Sequence, residues 1–555
     1  MIKTKIVSSL EKAFMDQTLD DFESLEYISA LRGERLSLQL LYFYDRSDSP
    51  STWWQPERLP IVPEGKLAPF TDIRRVFSVP VTKAIHPDGI DDNYLRTVPG
   101  LYPDLLKPLY YDGKISFTAD GINSAWIEIN IPQSFAAGEY TLTFSFDDGE
   151  LGKCESSIKI EVIDAVLPKE DIYFTQWFHA DCLANYYNVD VWSDKHWEIV
   201  ENFARTARRN GINVLLTPVF PPPLDTAVGG ERRTTQLITI TKINGEYKFD
   251  FSNLDRWIDM CNRCGIDYIE ISHFFTQWGA AHAPKIMANV DGEYKKIFGW
   301  DTDATGEEYT SFLRSFLTEL LAHLKARGDD KRCFYHISDE PGLAHLENYK
   351  KAKETVADLL EGYTIMDALS NFSFYETGVL DHPIPSNNHI QPFLDAGVKD
   401  LWTYYCVSQP LKVSNRYISM PSWRNRSIGM QMFKYNIKGF LHWGYNFYNN
   451  QYSVDPINPY TEPCADFAFP GGDAFSVYPE LDGTALESIR LVVFYEALQD
   501  IKAMKLASSL TSHDEVVSAI EDVLGEPLTF DICAKSANTM LKIREAVNEI
   551  IKRSI

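Results

Sequence analysis

The chain has 555 residues, of which 45% are hydrophobic and 24% charged, so a large buried core is available and a disordered chain is excluded. Its 53 Lys and Arg against 78 Asp and Glu leave a net charge of −25. That balance argues against nucleic acid as a partner, because affinity for a polyanion comes from cationic contacts.

In chain order, residues 1–168 predict an N-terminal β-sandwich. The segments 35–44, 125–131, 140–146 and 157–163 carry alternating apolar and polar residues at strand lengths. Gly138-Glu139 and Asp147-Asp148-Gly149 are turn residues on either side of the third. No acid–base constellation occurs in this region, and Leu167-Pro168-Lys169 reads as a linker. The N-terminus lacks the long apolar core of a secretory signal, and no run of eighteen apolar residues predicts a membrane span. Of eight scattered cysteines only Cys261 and Cys264 form a CxxC pair, and a zinc ribbon needs a second pair. Free thiols, a cytoplasmic location, no metal and no cofactor are therefore expected.

From Ile172 the pattern alternates strand and helix. Strands are expected at 172–178, 213–216, 266–272, 333–338, 364–369, 398–404, 439–443 and 474–478. Helices are expected at 193–210, 254–264, 309–327, 346–360, 422–436 and 484–506. Asn244-Gly245, inside an inserted segment at 236–251, is a two-residue hairpin signal. The expected architecture is thus a β-sandwich, then a (β/α)8 TIM-like barrel over 169–510, with helices over 511–555 packed on the barrel.

One stretch organises the second half. The apolar run Cys333-Phe334-Tyr335-His336-Ile337-Ser338 ends in Asp339-Glu340 and a Pro341-Gly342 break. Side chains adjacent on a strand face opposite sides, but two carboxylates at a turn can face one pocket. The other expected strand ends carry His179, His273, Trp278, Tyr404, Trp443, Asn446 and Tyr448, with Asp473 before the last strand. Aromatics, His, Asn and carboxylates at one rim suggest a carbohydrate pocket. A lone carboxylate after a strand is commonly a helix cap, and buried histidines are commonly structural, so the set carries more weight than any member.

A carboxyl pair points to glycoside hydrolysis, in which one group donates a proton while the other stays charged. A sequence-adjacent pair suits substrate assistance, in which a 2-acetamido oxygen attacks its own anomeric carbon. Two alternatives stay open: a retaining glycosidase with Glu270, Asp367 or Asp473 as covalent nucleophile, and a non-catalytic sugar-binding barrel protein.

The Ser338-Asp339-Glu340-Pro341 strand end, the run Gln176-Trp177-Phe178-His179-Ala180-Asp181-Cys182-Leu183-Ala184, and Tyr478-Pro479 with the following Glu487-Ser488-Ile489-Arg490 resemble glycoside hydrolase family 123. The preceding sandwich resembles it too. The resemblance implies a retaining β-N-acetylgalactosaminidase that works through an oxazolinium intermediate on terminal β-GalNAc, with glycosphingolipid-type glycans as the substrate class. It assigns Asp339 as acetamido stabiliser and Glu340 as general acid/base. From strand-end position, Tyr404 is expected to donate to the acetamido oxygen, Trp278 and Trp443 to wall the pocket, and His179, His273 and Asn446 to meet sugar hydroxyls.

Overall fold

The computed structural model describes residues 2–45, 58–109, 111–117, 121–147 and 153–555. The expected turn residues Asp148-Gly149 lie outside the described residues. The chain divides into two compact units. One holds Met1–Asp171, Pro410–Tyr435 and Leu486–Ile555; the other holds Ile172–Gln409 and Asn436–Ala485.

The first unit contains two five-stranded sheets. One orders Ile2–Ser8, Arg35–Tyr44, Asn123–Asn130, Thr71–Val81 and Gly100–Pro108; the other orders Tyr27–Arg32, Lys153–Val166, Gly138–Asp147, Arg58–Glu64 and Lys114–Ser116. The alternating strands bury Leu36, Leu38, Leu40, Ile127, Ile129, Leu142, Phe144, Ile158 and Ile160 in one core, as period-2 patterning dictates. A second core joins Leu31, Leu106, Trp126 and Ile163 to Val492, Val493, Met540 and Val547. These last four lie on the helices Ile489–Leu510 and Ala537–Ser554. The terminal helices therefore belong to the compact unit of the sandwich, which corrects the expected division into 1–168, 169–510 and 511–555. The cause lies in Ile489–Leu510, whose buried residues run around the whole helix and include Arg490 and Asp500. Arg490 pairs with Asp104, and Asp500 with Arg426 and Arg544, so these charges are buried with partners rather than solvated.

The second unit carries eight parallel strands in two sheets. In chain order they are β1 (Tyr173–Gln176), β2 (Val214–Thr217), β3 (Tyr268–Ile271), β4 (Cys333–Tyr335), β5 (Thr364–Ala368), β6 (His382–Ile384), β7 (Trp402–Tyr404) and β8 (Gly439–His442). One sheet has the order β1-β8-β7 and the other β2-β3-β4-β5-β6. Seven of the eight coincide with expected strands. The exception is β6, whose three residues His-Pro-Ile carry no readable period; it pairs in parallel with β5. The segment expected as the eighth strand folds instead as Val477–Pro479, outside both parallel sheets. Asn244 and Gly245 both take positive φ, 52° and 87°, and join Thr239–Ile243 to Glu246–Asp250 as an antiparallel hairpin. No helix among the described residues is long and apolar enough to cross a membrane.

Packing between β7 and β8 allows no side chain at Gly439. A Cβ there would lie 2.1 Å from the ring of buried Trp402, its register partner. Trp402 is stacked on Tyr173, with ring centroids 5.2 Å apart, and has no room to retreat. Gly439→Ala is expected to destabilise the protein by about 1–3 kcal/mol, the range for overpacked cores, read as a lower urea midpoint.

Candidate active site

The carboxyl ends of the parallel strands surround a cavity of about 170 Å³. Asp339 and Glu340 both line it, with Trp177 after β1, Leu224 and Asp225 after β2, Gln277 and Trp278 after β3, Tyr404 on β7 and Trp443 after β8.

Backbone geometry explains how two consecutive side chains reach one cavity. Trp278 donates its N–H to Asp339 O at 2.8 Å, and Glu340 donates its N–H to Ala368 O at 3.0 Å. The peptide between the carboxylates is thus tied to the chain ends on both flanks. Glu340 then takes φ +43°, outside the extended range in which neighbours alternate. Left-handed backbone is costly for a residue with a Cβ and persists where the surroundings enforce it.

Protein packs around both carboxyls, but Asp339 is half-buried and Glu340 is exposed. Burial pushes Asp339 well above the usual carboxylate range, and the charges of Glu340 and Asp367 push the same way. Burial also raises Glu340, but the hydroxyl of Tyr404, which donates to Oε1 at 2.6 Å, pulls it back. The pair therefore retains a proton that two solvated carboxylates would lose. Tyr404, expected as a donor to a ligand, gives its hydroxyl to Glu340.

Beneath the cavity lies a buried network. His336 holds Glu270 Oε1 at 2.8 Å with Nε2 and Asp367 Oδ1 at 3.0 Å with Nδ1. Burial alone would lower His336, but the two carboxylates outweigh it and raise the imidazole to about 10, so it is an imidazolium. Glu270 also accepts from the Trp177 indole at 2.7 Å and the Thr175 hydroxyl at 2.6 Å. Asp367 accepts from the Tyr349 hydroxyl and from the N–H groups of Ile337 and Ser338, directly before Asp339 and Glu340. Neither Glu270 nor Asp367 lines the cavity. His273 stacks on His336 with ring centroids 4.4 Å apart, and burial and that cation push it well below its usual range. Ligand atoms of His273, His336 and Asp367 lie within 4.8 Å of one another, a spacing that could hold a metal. Both His336 nitrogens are already committed to carboxylates, so the arrangement fits an ion network better.

The ten residues expected from strand ends divide evenly. Asp339, Glu340, Trp278, Tyr404 and Trp443 line the cavity, whereas His179, His273, Asn446, Tyr448 and Asp473 do not. His179 lies between Trp443 O at 2.8 Å and Arg232 at 3.0 Å, and burial and that guanidinium lower it to about 3. Asn446 bridges the N–H and C=O of His179, Tyr448 donates to Val477 O, and Asp473 accepts the Trp443 indole N–H at 3.0 Å. His179, His273 and Asn446, expected to meet sugar hydroxyls, are buried and do not line this cavity. Asp225, Gln277, Tyr452 and Phe469 also line the cavity. They sit on irregular segments where periodicity carries no signal; Pro221-Pro222-Pro223 before Asp225 is the one local mark.

Residues 177–507 match the family model described as "Glycoside hydrolase 123, catalytic domain". The protein is accordingly a glycoside hydrolase, a class whose chemistry rests on carboxyl pairs. The match spans more than half the chain, and the chain belongs to glycoside hydrolase family 123. Among solved structures it is similar over its full length to a family 123 glycoside hydrolase from Clostridium perfringens, described for glycolipid glycan hydrolysis. That likeness has TM-score 0.71, 16% identity and 98% coverage of the other chain. A Bacteroides ovatus GH5 xyloglucanase follows at TM-score 0.27 and 8% identity, covering 85% of this chain and 98% of the other. No curated protein matches by sequence.

Proposed function

We propose that this chain is a retaining exo-β-N-acetylgalactosaminidase, using substrate-assisted catalysis on terminal β-GalNAc of glycans such as glycosphingolipid oligosaccharides. The observation that carries the reading is the placement of two consecutive carboxyls, Asp339 and Glu340, on one sugar-sized cavity that none of Glu270, Asp367 and Asp473 lines. At about 170 Å³ the cavity is smaller than the roughly 300–1,000 Å³ of pockets for drug-sized ligands, which favours a single terminal residue. The eight parallel strands support a (β/α)8 barrel: Asn213 N–H donates to Phe174 O beside β2 and β1, and Ser386 bridges Tyr404 beside β6 and β7. Active sites of such barrels lie at the carboxyl ends of the strands.

In this mechanism Asp339, ionised, accepts the acetamido N–H and aligns the acetamido oxygen on C1. That oxygen bonds to C1 as the glycosidic C1–O bond breaks, and Glu340 gives its proton to the departing oxygen. Water then attacks C1 of the oxazolinium ion, Glu340 takes the water proton, and the ring opens with the β configuration retained. Before substrate arrives, the Tyr404 hydroxyl favours ionised Glu340, and the retained proton rests on the Asp339 side. The acetamido N–H does for Asp339 what Tyr404 does for Glu340, so binding moves the proton to the group that must donate it.

Chromogenic β-GalNAc and β-Gal substrates test this reading. Only the acetamido sugar should be cleaved, and a thiazoline mimic of the cyclised intermediate should inhibit; equal turnover of the galactoside would refute substrate assistance. The Tyr404 contact sets a pH effect with a definite sign. Its hydrogen bond lowers Glu340, and the reacting complex needs Glu340 protonated, so Tyr404→Phe should move the basic limb of the kcat profile upward by about one pH unit, the value of one charge-assisted hydrogen bond.

A further inference from the structure

Four residues on the cavity, Asp225, Trp278, Glu340 and Tyr452, hold left-handed backbone, at φ 40°, 58°, 43° and 61°, and none is glycine. Glu340 is explained by the need to turn both carboxyls inward. The other three form one assembly. Asp225 Oδ2 accepts the Tyr452 N–H at 3.0 Å, and Asp225 O accepts the Ser453 hydroxyl at 2.7 Å. Ala227 donates its N–H to Tyr452 O at 3.0 Å. Gln277, next to Trp278, accepts the Asp225 N–H at 2.5 Å and donates to Thr226 O at 3.1 Å. The Tyr452 ring meets the Trp278 ring edge-on, with centroids 5.9 Å apart, and the two residues are 42% and 39% exposed. Asp225 Oδ1 takes no hydrogen bond from any described residue, although the side chain is half-buried and lines the cavity.

We propose that Asp225 is a substrate-positioning residue that holds the Tyr452 segment with one carboxylate oxygen and accepts a hydroxyl of the terminal sugar with the other, while Tyr452 and Trp278 flank that sugar at the mouth. The inference rests on the reading above that the cavity takes a terminal sugar. An ionised carboxylate only accepts, so it selects a hydroxyl donor, and the bond is charge-assisted. Edge-to-face rings offer the apolar surface a pyranose C–H face needs. Burial raises Asp225 to about 6, opposed by the Tyr452 N–H and by Arg232; Asp339 is the further charged group that senses it. Above that pH the acceptor is charged.

Asp225→Asn keeps the shape and an acceptor for the Tyr452 N–H but turns an amide N–H toward the cavity. For a β-GalNAc substrate kcat/KM should fall about 10- to 100-fold, the scale of one charge-assisted hydrogen bond. The loss should appear in KM, by the same factor for good and poor leaving groups. The decline of wild-type kcat/KM near pH 6 that belongs to Asp225 should vanish from the variant's profile. Among 3-, 4- and 6-deoxy sugars, one should lose affinity in the wild type and no more in the variant. A KM within twofold of wild type, or strictly additive losses for all three deoxy sugars, would overturn the proposal. Binding of N-acetylgalactosamine and galactose, followed by tryptophan fluorescence, reads Asp225 without turnover. Weaker binding to the variant supports its role even if wild-type enzyme leaves β-GalNAc uncleaved, an outcome that would refute the acetamido-sugar reading alone; equal binding to both proteins overturns the Asp225 role.

Discussion

Glu340→Gln is expected to lower kcat/KM by about 10³- to 10⁴-fold on an oligosaccharide whose leaving group is another sugar, the upper range for loss of a general acid. The physical reason is leaving-group basicity: a departing sugar alkoxide needs the proton, whereas an activated phenol leaves without it. With a dinitrophenyl substrate the first step should therefore lose little, and the second step, in which Glu340 takes a proton from water, should become limiting. Azide attacks without base assistance, so it should restore turnover and give the β-azide. Thiazoline affinity should persist, because Gln has the volume of Glu and Tyr404 still reaches it. A variant with wild-type turnover on the sugar aglycone would remove Glu340 from the acid role.

Asp339→Asn should cost about 10²- to 10³-fold with no dependence on the leaving group, comparable with removing one preorganised group that stabilises developing charge. Here the amide N–H₂ faces the acetamido N–H, so the nucleophilic oxygen is neither aligned nor charge-stabilised. Thiazoline affinity should fall with the rate, in contrast to Glu340→Gln. The two variants thus differ in leaving-group dependence, azide response and inhibitor binding, and a role for either residue in folding alone would not produce that pattern. If Asp339→Asn lost activity only with poor leaving groups, the two roles would have to be exchanged.

The stabilising environment behind the pair bears on the alternative of a separate covalent nucleophile. Of its three candidates, Glu270 and Asp367 are clamped to His336 and fully buried, and Asp473 receives the Trp443 indole. None of the three lines the cavity. The trio of Glu270, His336 and Asp367 instead anchors the backbone that presents Asp339 and Glu340, since Asp367 accepts the N–H groups of Ile337 and Ser338.

How much of this was legible beforehand differs from residue to residue. An apolar run broken by Asp339-Glu340-Pro341-Gly342 marks a strand end bearing two acids, and local alternation marks the sandwich strands and the Asn244-Gly245 hairpin, because each depends on neighbours in the chain. Seven parallel strands were readable for the same reason. The sixth, His382–Ile384, was not, since three residues with a proline become a strand only beside β5. Position at a strand end also does not say which way a side chain turns. His179 and Trp443 both follow strands, yet one is locked behind the wall by Arg232 and the other forms it. Asp225 and Tyr452 have no local pattern and meet across more than two hundred residues of chain. The sequence by itself thus determined the two acids, the strand periodicity and the family; the tertiary structure decided which groups share the cavity and where the terminal helices belong. Local periodicity reports short-range preference, whereas facing, burial and partnership are set by contacts between segments far apart in the chain.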